Sequence, residues 1–201
     1  MNALIAAAGI LLVAAITPGP NNFVVMTAGA RAGFAGALPA LTGIVLGTLA
    51  LVTVVVCGAG AAFAAEPRLR IGLAAAGCGY LLWLGVRLMA GLNQAQAAAA
   101  PLDPAALPNA VGGLMLFQFL NPKSWATVLA VTSAMPDRIG TPGFWLLAAL
   151  FVLIPTGCLV VWAVFGSMLA RYLERPVLAA AFRRAMGALL IVSALLLWLA
   201  P

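Results

Sequence analysis

One lysine and three asparagines stand beside prolines inside stretches otherwise apolar enough to cross a bilayer. They belong to Thr17-Pro18-Gly19-Pro20-Asn21-Asn22 and, about one hundred residues later, to Gln118-Phe119-Leu120-Asn121-Pro122-Lys123. Their chemistry is that of binding, not of bond breaking: an ammonium attracts a carboxylate, and asparagine amides offer donors and acceptors to both ends of a zwitterion. The prolines add to this. Inside a helix each removes a backbone donor and crowds the carbonyl four residues earlier, here residues 14 and 16 for the first motif and Gln118 for the second. In hydrocarbon the freed groups persist only against protein or an aqueous cavity, which is how many transporters build a midplane site. The candidate substrate-binding residues are therefore Thr17, Asn21, Asn22, Gln118, Asn121 and Lys123, with Pro18, Gly19, Pro20 and Pro122 as the helix breaks. Trp125 flanks the second break and is a candidate for the same cavity. The plainer alternative is a pair of structural kinks whose asparagines bond neighbouring helices.

Lys123 is the only lysine and falls about twelve residues into a stretch that begins near Val111. At the centre of a bilayer a lysine costs about 2.5–3.5 kcal/mol on insertion scales, so its position asks for a polar cavity or a carboxylate partner. No apolar stretch supplies an obvious acid; a substrate carboxylate or freed carbonyls near Pro122 are the expected partners. The alternative is a lysine that snorkels from a shifted helix end.

The elements that must hold these groups are set by composition. The chain is 65% hydrophobic and 7% charged, which excludes an ordinary soluble domain. A net charge of +6 does not indicate nucleic acid, because no basic run joins an aromatic surface and the arginines fall between apolar stretches. With no His, and with acids only at Glu66, Asp103, Asp137 and Glu174, there are no paired carboxylates, no triad and no metal-ligand spacing. Neither a catalytic residue, nor a metal site, nor a cofactor is expected. Cys57, Cys78 and Cys158 lie in three different apolar stretches without a C-x-x-C pair and read as free thiols packed as small apolar residues. The first 16 residues lack a positive leading segment and run into Pro18-Gly19-Pro20, so no cleavable signal is expected.

Six apolar stretches follow one another at roughly 4–28, 37–63, 71–90, 111–134, 143–165 and 179–200. About 20 residues at 1.5 Å rise cross a hydrocarbon core of about 30 Å, so the first five are long enough. The sixth is shortened by Arg183 and Arg184, which snorkel to the headgroups. An Ala- and Pro-rich linker, 93–110, separates 1–92 from 111–201. The expected fold is one all-α integral membrane domain of six transmembrane helices, arranged as two inverted three-helix repeats with broken first and fourth helices. Arg31, Arg87, Arg171, Arg175, Arg183 and Arg184 then share one side, and Arg68, Arg70 and Arg138 the other; the richer side is cytoplasmic and both termini face outward. If the first stretch is re-entrant, five spans leave only the N-terminus inside. Dense glycines in the second and third stretches, Gly43, Gly47, Gly58, Gly60, Gly72, Gly77, Gly79 and Gly85, point to close helix packing. Pro155-Thr156-Gly157 is expected to break the fifth span, as a hinge or a static kink.

Thr17–Asn22, Gly43 to Gly47, Ala76–Gly85, Gln118–Lys123 and Arg183–Gly187 together resemble, almost end to end, the LysE/RhtB family of bacterial inner-membrane amino-acid exporters. The resemblance implies a secondary carrier in the cell inner membrane that exports amino acids or related small metabolites, driven by the proton gradient as an antiporter. Pro18–Asn22 with the Ala40–Phe63 stretch looks most like the cysteine and O-acetylserine exporter branch. Many members carry an acid immediately after the second glycine of the second span, where this chain has Thr48, which tells against a coupling scheme that needs a carboxylate there. Proton coupling then falls to Lys123 itself. The expected partners are a small amino acid or derivative, membrane lipid and, as an option, a second copy in a homodimer; nucleic acid is not among them. Two rivals are a transmembrane thiol or electron carrier of similar architecture and a small-solute channel.

Overall fold

The structure, a computed structural model, describes residues 2–91, 110–135 and 141–199. Every regular element among these residues is helical: α1 (Asn2–Ile16), α2 (Pro20–Val54), a π-helical turn (Val55–Ala59), α3 (Gly60–Ala65), α4 (Pro67–Ala90), α5 (Ala110–Leu120), α6 (Pro122–Ser133), α7 (Thr141–Leu173) and α8 (Pro176–Leu199). The expected linker 93–110 lies outside the described residues except for Ala110, which opens α5; Asp103, Asp137 and Arg138 lie outside as well. Four of the described segments are long and apolar enough to cross a membrane: Pro20–Gly58, Pro67–Ala90, Pro142–Leu173 and Pro176–Leu196. Two shorter apolar helices, Ala3–Ile16 and Val111–Leu120, end at the two proline motifs. Outward faces carry large apolar side chains such as Val13, Leu116, Leu153, Val161 and Leu196, each more than half exposed. Such a surface is unstable in water and suited to lipid.

The helix that opens at Pro20 does not run straight. At Ala32 (φ −129°, ψ 16°) and Gly33 (φ 69°, ψ −178°) the backbone leaves helical geometry. Gly33 occupies a region open essentially to glycine alone. The chain doubles back there, because Asn21 hydrogen-bonds the Gln118 side chain while a Cβ on Gly47 would lie 2.8 Å from Gln118 Cγ. A straight helix would hold Asn21 and Gly47 about 39 Å apart.

Packing follows the small residues. α2 lies against α7 and α5, α4 against α8, and α1 against α7 and α6. A Cβ on Gly43 would meet the Val111 carbonyl at 2.6 Å, and one on Gly47 would meet Met115 at the same distance. Gly85 and Gly187 allow a similar approach of α4 to α8, and Gly77 makes room on α4 for the Pro122 ring. The other glycines expected to pack do not approach another helix. Gly72 and Gly79 face open space, the nearest atoms to a Cβ on Gly60 belong to Val55 five residues earlier, and Gly58 has a positive φ of 119° inside the π turn. Close packing needs both a small residue and a facing backbone, and sequence reveals only the first.

Two apolar clusters result. One joins Val24, Val25, Ala40 and Ile44 to Leu81, Leu114, Leu159 and Leu190; the other joins Ala7, Leu11 and Leu51 to Val128, Val131, Leu147 and Phe151. The expected break at Pro155 is absent, since α7 runs through it from Thr141 to Leu173. Neighbouring helices tolerate an internal proline when the surrounding turns keep their geometry.

Candidate functional site

The first break is a short extended stretch. α1 ends at Ile16, and Gly19 (φ −165°, ψ −179°) is the extended cap before Pro20 opens α2. Pro20 suits that place because a first-turn residue needs no backbone donor. Three carbonyls around the break, those of Ala15, Thr17 and Pro18 and not the expected ones of residues 14 and 16, are taken by side chains. Asn22 Nδ2 donates to Ala15 O at 3.1 Å and to Thr17 O at 3.0 Å, and Ser193 Oγ donates to Pro18 O at 2.8 Å.

The second break is a single residue. Asn121 (φ −89°, ψ 107°) separates α5 from α6, and its Oδ1 accepts the Lys123 N–H at 3.1 Å as an N-cap, with Pro122 as the first helical residue. Gln118 O, expected to be freed by Pro122, accepts the Asn121 N–H at 3.3 Å. The proline therefore frees less backbone here than its spacing implies, because a bond spanning three residues replaces the one spanning four.

The two breaks meet. Lys123 Nζ reaches across to the first, donating to Thr17 O at 2.6 Å and Pro18 O at 3.4 Å. Its partners are thus backbone carbonyls of the opposite break and not the expected ones near Pro122. Asn21 and Gln118 pair amide to amide: Asn21 Nδ2 donates to Gln118 Oε1 at 3.0 Å and Gln118 Nε2 to Asn21 Oδ1 at 3.1 Å. Asn121 Nδ2 adds a 3.5 Å contact to Asn21 Oδ1, and Ser124 Oγ donates to Gln118 Oε1 at 2.8 Å.

Beside this network lies a cavity of about 70 Å³. Asn21, Asn22, Asn121, Lys123 and Gly19 border it from the two breaks, with Thr48, Ser124, Thr127, Phe151 and Pro155 among the rest of its wall. Of the expected binding residues, Thr17 and Gln118 do not line it. The Thr17 hydroxyl turns back to Val13 O at 2.6 Å, and Gln118 is fully buried behind the wall, where it fixes Asn21 and Ser124. Trp125 also lies off the cavity, its Nε1 bonded to Phe119 O at 2.9 Å. None of the three cysteines borders it: Cys57 is exposed, Cys78 is buried with its thiol 3.4 Å from Ala194 O, and Cys158 is half-buried. Only Cys78 fits the expected packed thiol.

Sequence reasoning missed Ser124, Thr127, Phe151 and Ser193 as parts of the site. A signal existed for Thr127, one helical turn beyond Lys123 on the same face. Phe151 and Ser193 carry none, since only the packing of α7 and α8 brings them to the breaks.

The chain matches the LysE type translocator family over residues 12–200. It is 32% identical over 173 residues to the cysteine/O-acetylserine efflux proteins of Salmonella choleraesuis and Salmonella typhimurium, covering 80% of this chain and 80% of each relative. It is also 32% identical over 113 residues to an uncharacterized membrane protein of Pseudomonas aeruginosa, covering 54% of this chain and 52% of that protein. The chain thus spans about half the length of the Pseudomonas relative. No solved structure matches it. With broken apolar helices gathered around a polar cavity and a family match along nearly its whole length, the chain belongs to the LysE type translocators, as a multi-pass membrane transporter and not an enzyme.

Proposed function

We propose that this protein exports a small amino acid or a close derivative from the cytoplasm across the inner membrane, as a secondary carrier driven by the proton gradient. The observation that carries the reading is the junction of the two breaks, where Lys123 lines a cavity otherwise bordered by amides, hydroxyls and apolar side chains. The cavity, about 70 Å³, exceeds the room that a single water needs and suits a small ligand. The names of the Salmonella relatives point to cysteine or O-acetylserine as the first substrates to test. Asn21, Asn22 and Asn121 orient the ligand by hydrogen bonds, Lys123 attracts its carboxylate, and Pro18, Pro20 and Pro122 keep the backbone open.

In this reading the chain crosses six times, as two inverted halves on either side of the 93–110 linker. Support comes from the reversal at Gly33, which makes α1 with the start of α2 one passage and the rest of α2 through α3 the next. It comes also from the pairing of helices. Gly29 and Gly166 bring the first passage to the fifth, Gly43 and Gly47 bring the second to the fourth, and Gly85 and Gly187 join the third to the sixth. Exchanging the halves maps these pairings onto themselves, as inverted repeats require. Reporters fused at the two ends should both report the outer side; a cytoplasmic C-terminus sinks this topology.

The functional test is metabolite profiling of medium from cells that overproduce the chain. Accumulation of cysteine, O-acetylserine or another small amino acid, arrested by a protonophore, is expected. An unchanged medium from cells whose membranes contain the protein refutes export, and efflux indifferent to the protonophore refutes proton coupling.

A further inference from the structure

The Lys123 ammonium is met by two backbone carbonyls and by no acid among the cavity's lining residues. Thr17 O and Pro18 O solvate its charge without neutralising it, at the C-terminal end of α1, where the helix dipole favours a cation. Gly19 lets the side chain lie there, since a Cβ on Gly19 would stand 2.9 Å from Nζ and 3.1 Å from Cδ of Lys123. The glycine's extended backbone suits any residue, so the lysine's passage is what its missing side chain accommodates. This carbonyl pair has the makings of a primary-ammonium site that already holds one.

We propose that Thr17 O and Pro18 O form the subsite for the substrate's ammonium group, and that Lys123 occupies it as a tethered stand-in until substrate enters. This rests on the amino-acid reading above in its choice of ligand. Thr17 and Pro18 do not line the cavity themselves, but Lys123 does, so the carbonyls are reached through the place that its ammonium vacates: on entry the substrate ammonium takes that place, and the released lysine turns to the substrate carboxylate. An α-amino acid carries both groups on one carbon, within reach of one lysine's sweep. The exchange leaves the net charge of the cavity unchanged. An amine alone would put two cations together in a poorly screened space. A carboxylate alone would draw the lysine away and leave Thr17 O and Pro18 O with only their neutral donors, Asn22 Nδ2 and Ser193 Oγ, and no cation. The subsite therefore selects zwitterions over either half of the molecule, and Lys123 sets that preference by competing for the carbonyls.

The test uses the full purified chain in lipid nanodiscs, with methylammonium and acetate as separate probes and cysteine as the joined molecule. In the wild type, acetate should raise methylammonium affinity by about tenfold, because the carboxylate draws off the competing lysine. In Lys123→Met, methylammonium should bind about tenfold more tightly than in wild type alone, with no further gain from acetate. Independent binding of the two probes to wild type overturns the proposal, and that measurement needs no variant to fold. So does a Lys123→Met protein that melts like wild type yet binds methylammonium no better. If the probes couple but neither cysteine nor any other amino acid binds, the ammonium subsite stands and the export reading falls.

Discussion

Replacing Gln118 with methionine, Asn21 with leucine, and then both together measures how strongly the two broken helices are tied. Gln118 is fully buried with all four of its hydrogen-bonding positions filled: Nε2 donates to Asn21 Oδ1 and Leu114 O, and Oε1 accepts from Asn21 Nδ2 and Ser124 Oγ. Gln118→Met keeps the length of the side chain and removes the bonds to Asn21 and Ser124. A buried polar group left without its partner costs about 1–3 kcal/mol. Asn21 and Ser124 border the cavity, where water can take up part of the loss, so a total of about 2 kcal/mol follows. Asn21→Leu should cost a similar amount by stranding the Gln118 amide. The double substitution removes both ends and should cost no more than either single change, giving a coupling of about 2 kcal/mol. In thermal melts of the purified protein each variant should lose about 4–8 °C, the double included. Additive losses, with the double falling twice as far, would falsify the view that this amide pair is one unit.

Two further outcomes follow from the same geometry. Gly33→Ala meets no atom within 4 Å, so its penalty is conformational alone and should be about 1–3 kcal/mol, read as a lower melting temperature; an unchanged melt would mean that the reversal does not need φ 69°. Replacing Cys57, Cys78 and Cys158 together by alanine should leave export per inserted molecule undiminished, because none borders the cavity; loss of export with normal insertion would revive a thiol-carrier mechanism.

The sequence by itself determined the class of molecule, the places of its breaks and the groups they carry. Apolar length and scarce charge dictate membrane helices, and a proline's missing donor is a property of the residue and its immediate neighbours, so the interruptions after Ile16 and at Asn121 are legible locally. The same local logic failed at Pro155, where a continuous α7 absorbs the proline, whereas the departure from helix at Ala32 and Gly33 falls in the gap between the 4–28 and 37–63 stretches, beside Arg31. What satisfies a freed carbonyl is decided by packing. Asn22 serves its own break, whereas Lys123 and Ser193 arrive from 105 and 175 residues beyond Pro18. Only the tertiary structure, through close approaches such as Gly47 to Met115, decided that Gln118 stands behind the wall while Thr48, Thr127 and Phe151 face the cavity. The physical reason is range: a helix break is settled within one turn, but the partner that compensates it is chosen by which helices can come close enough to touch.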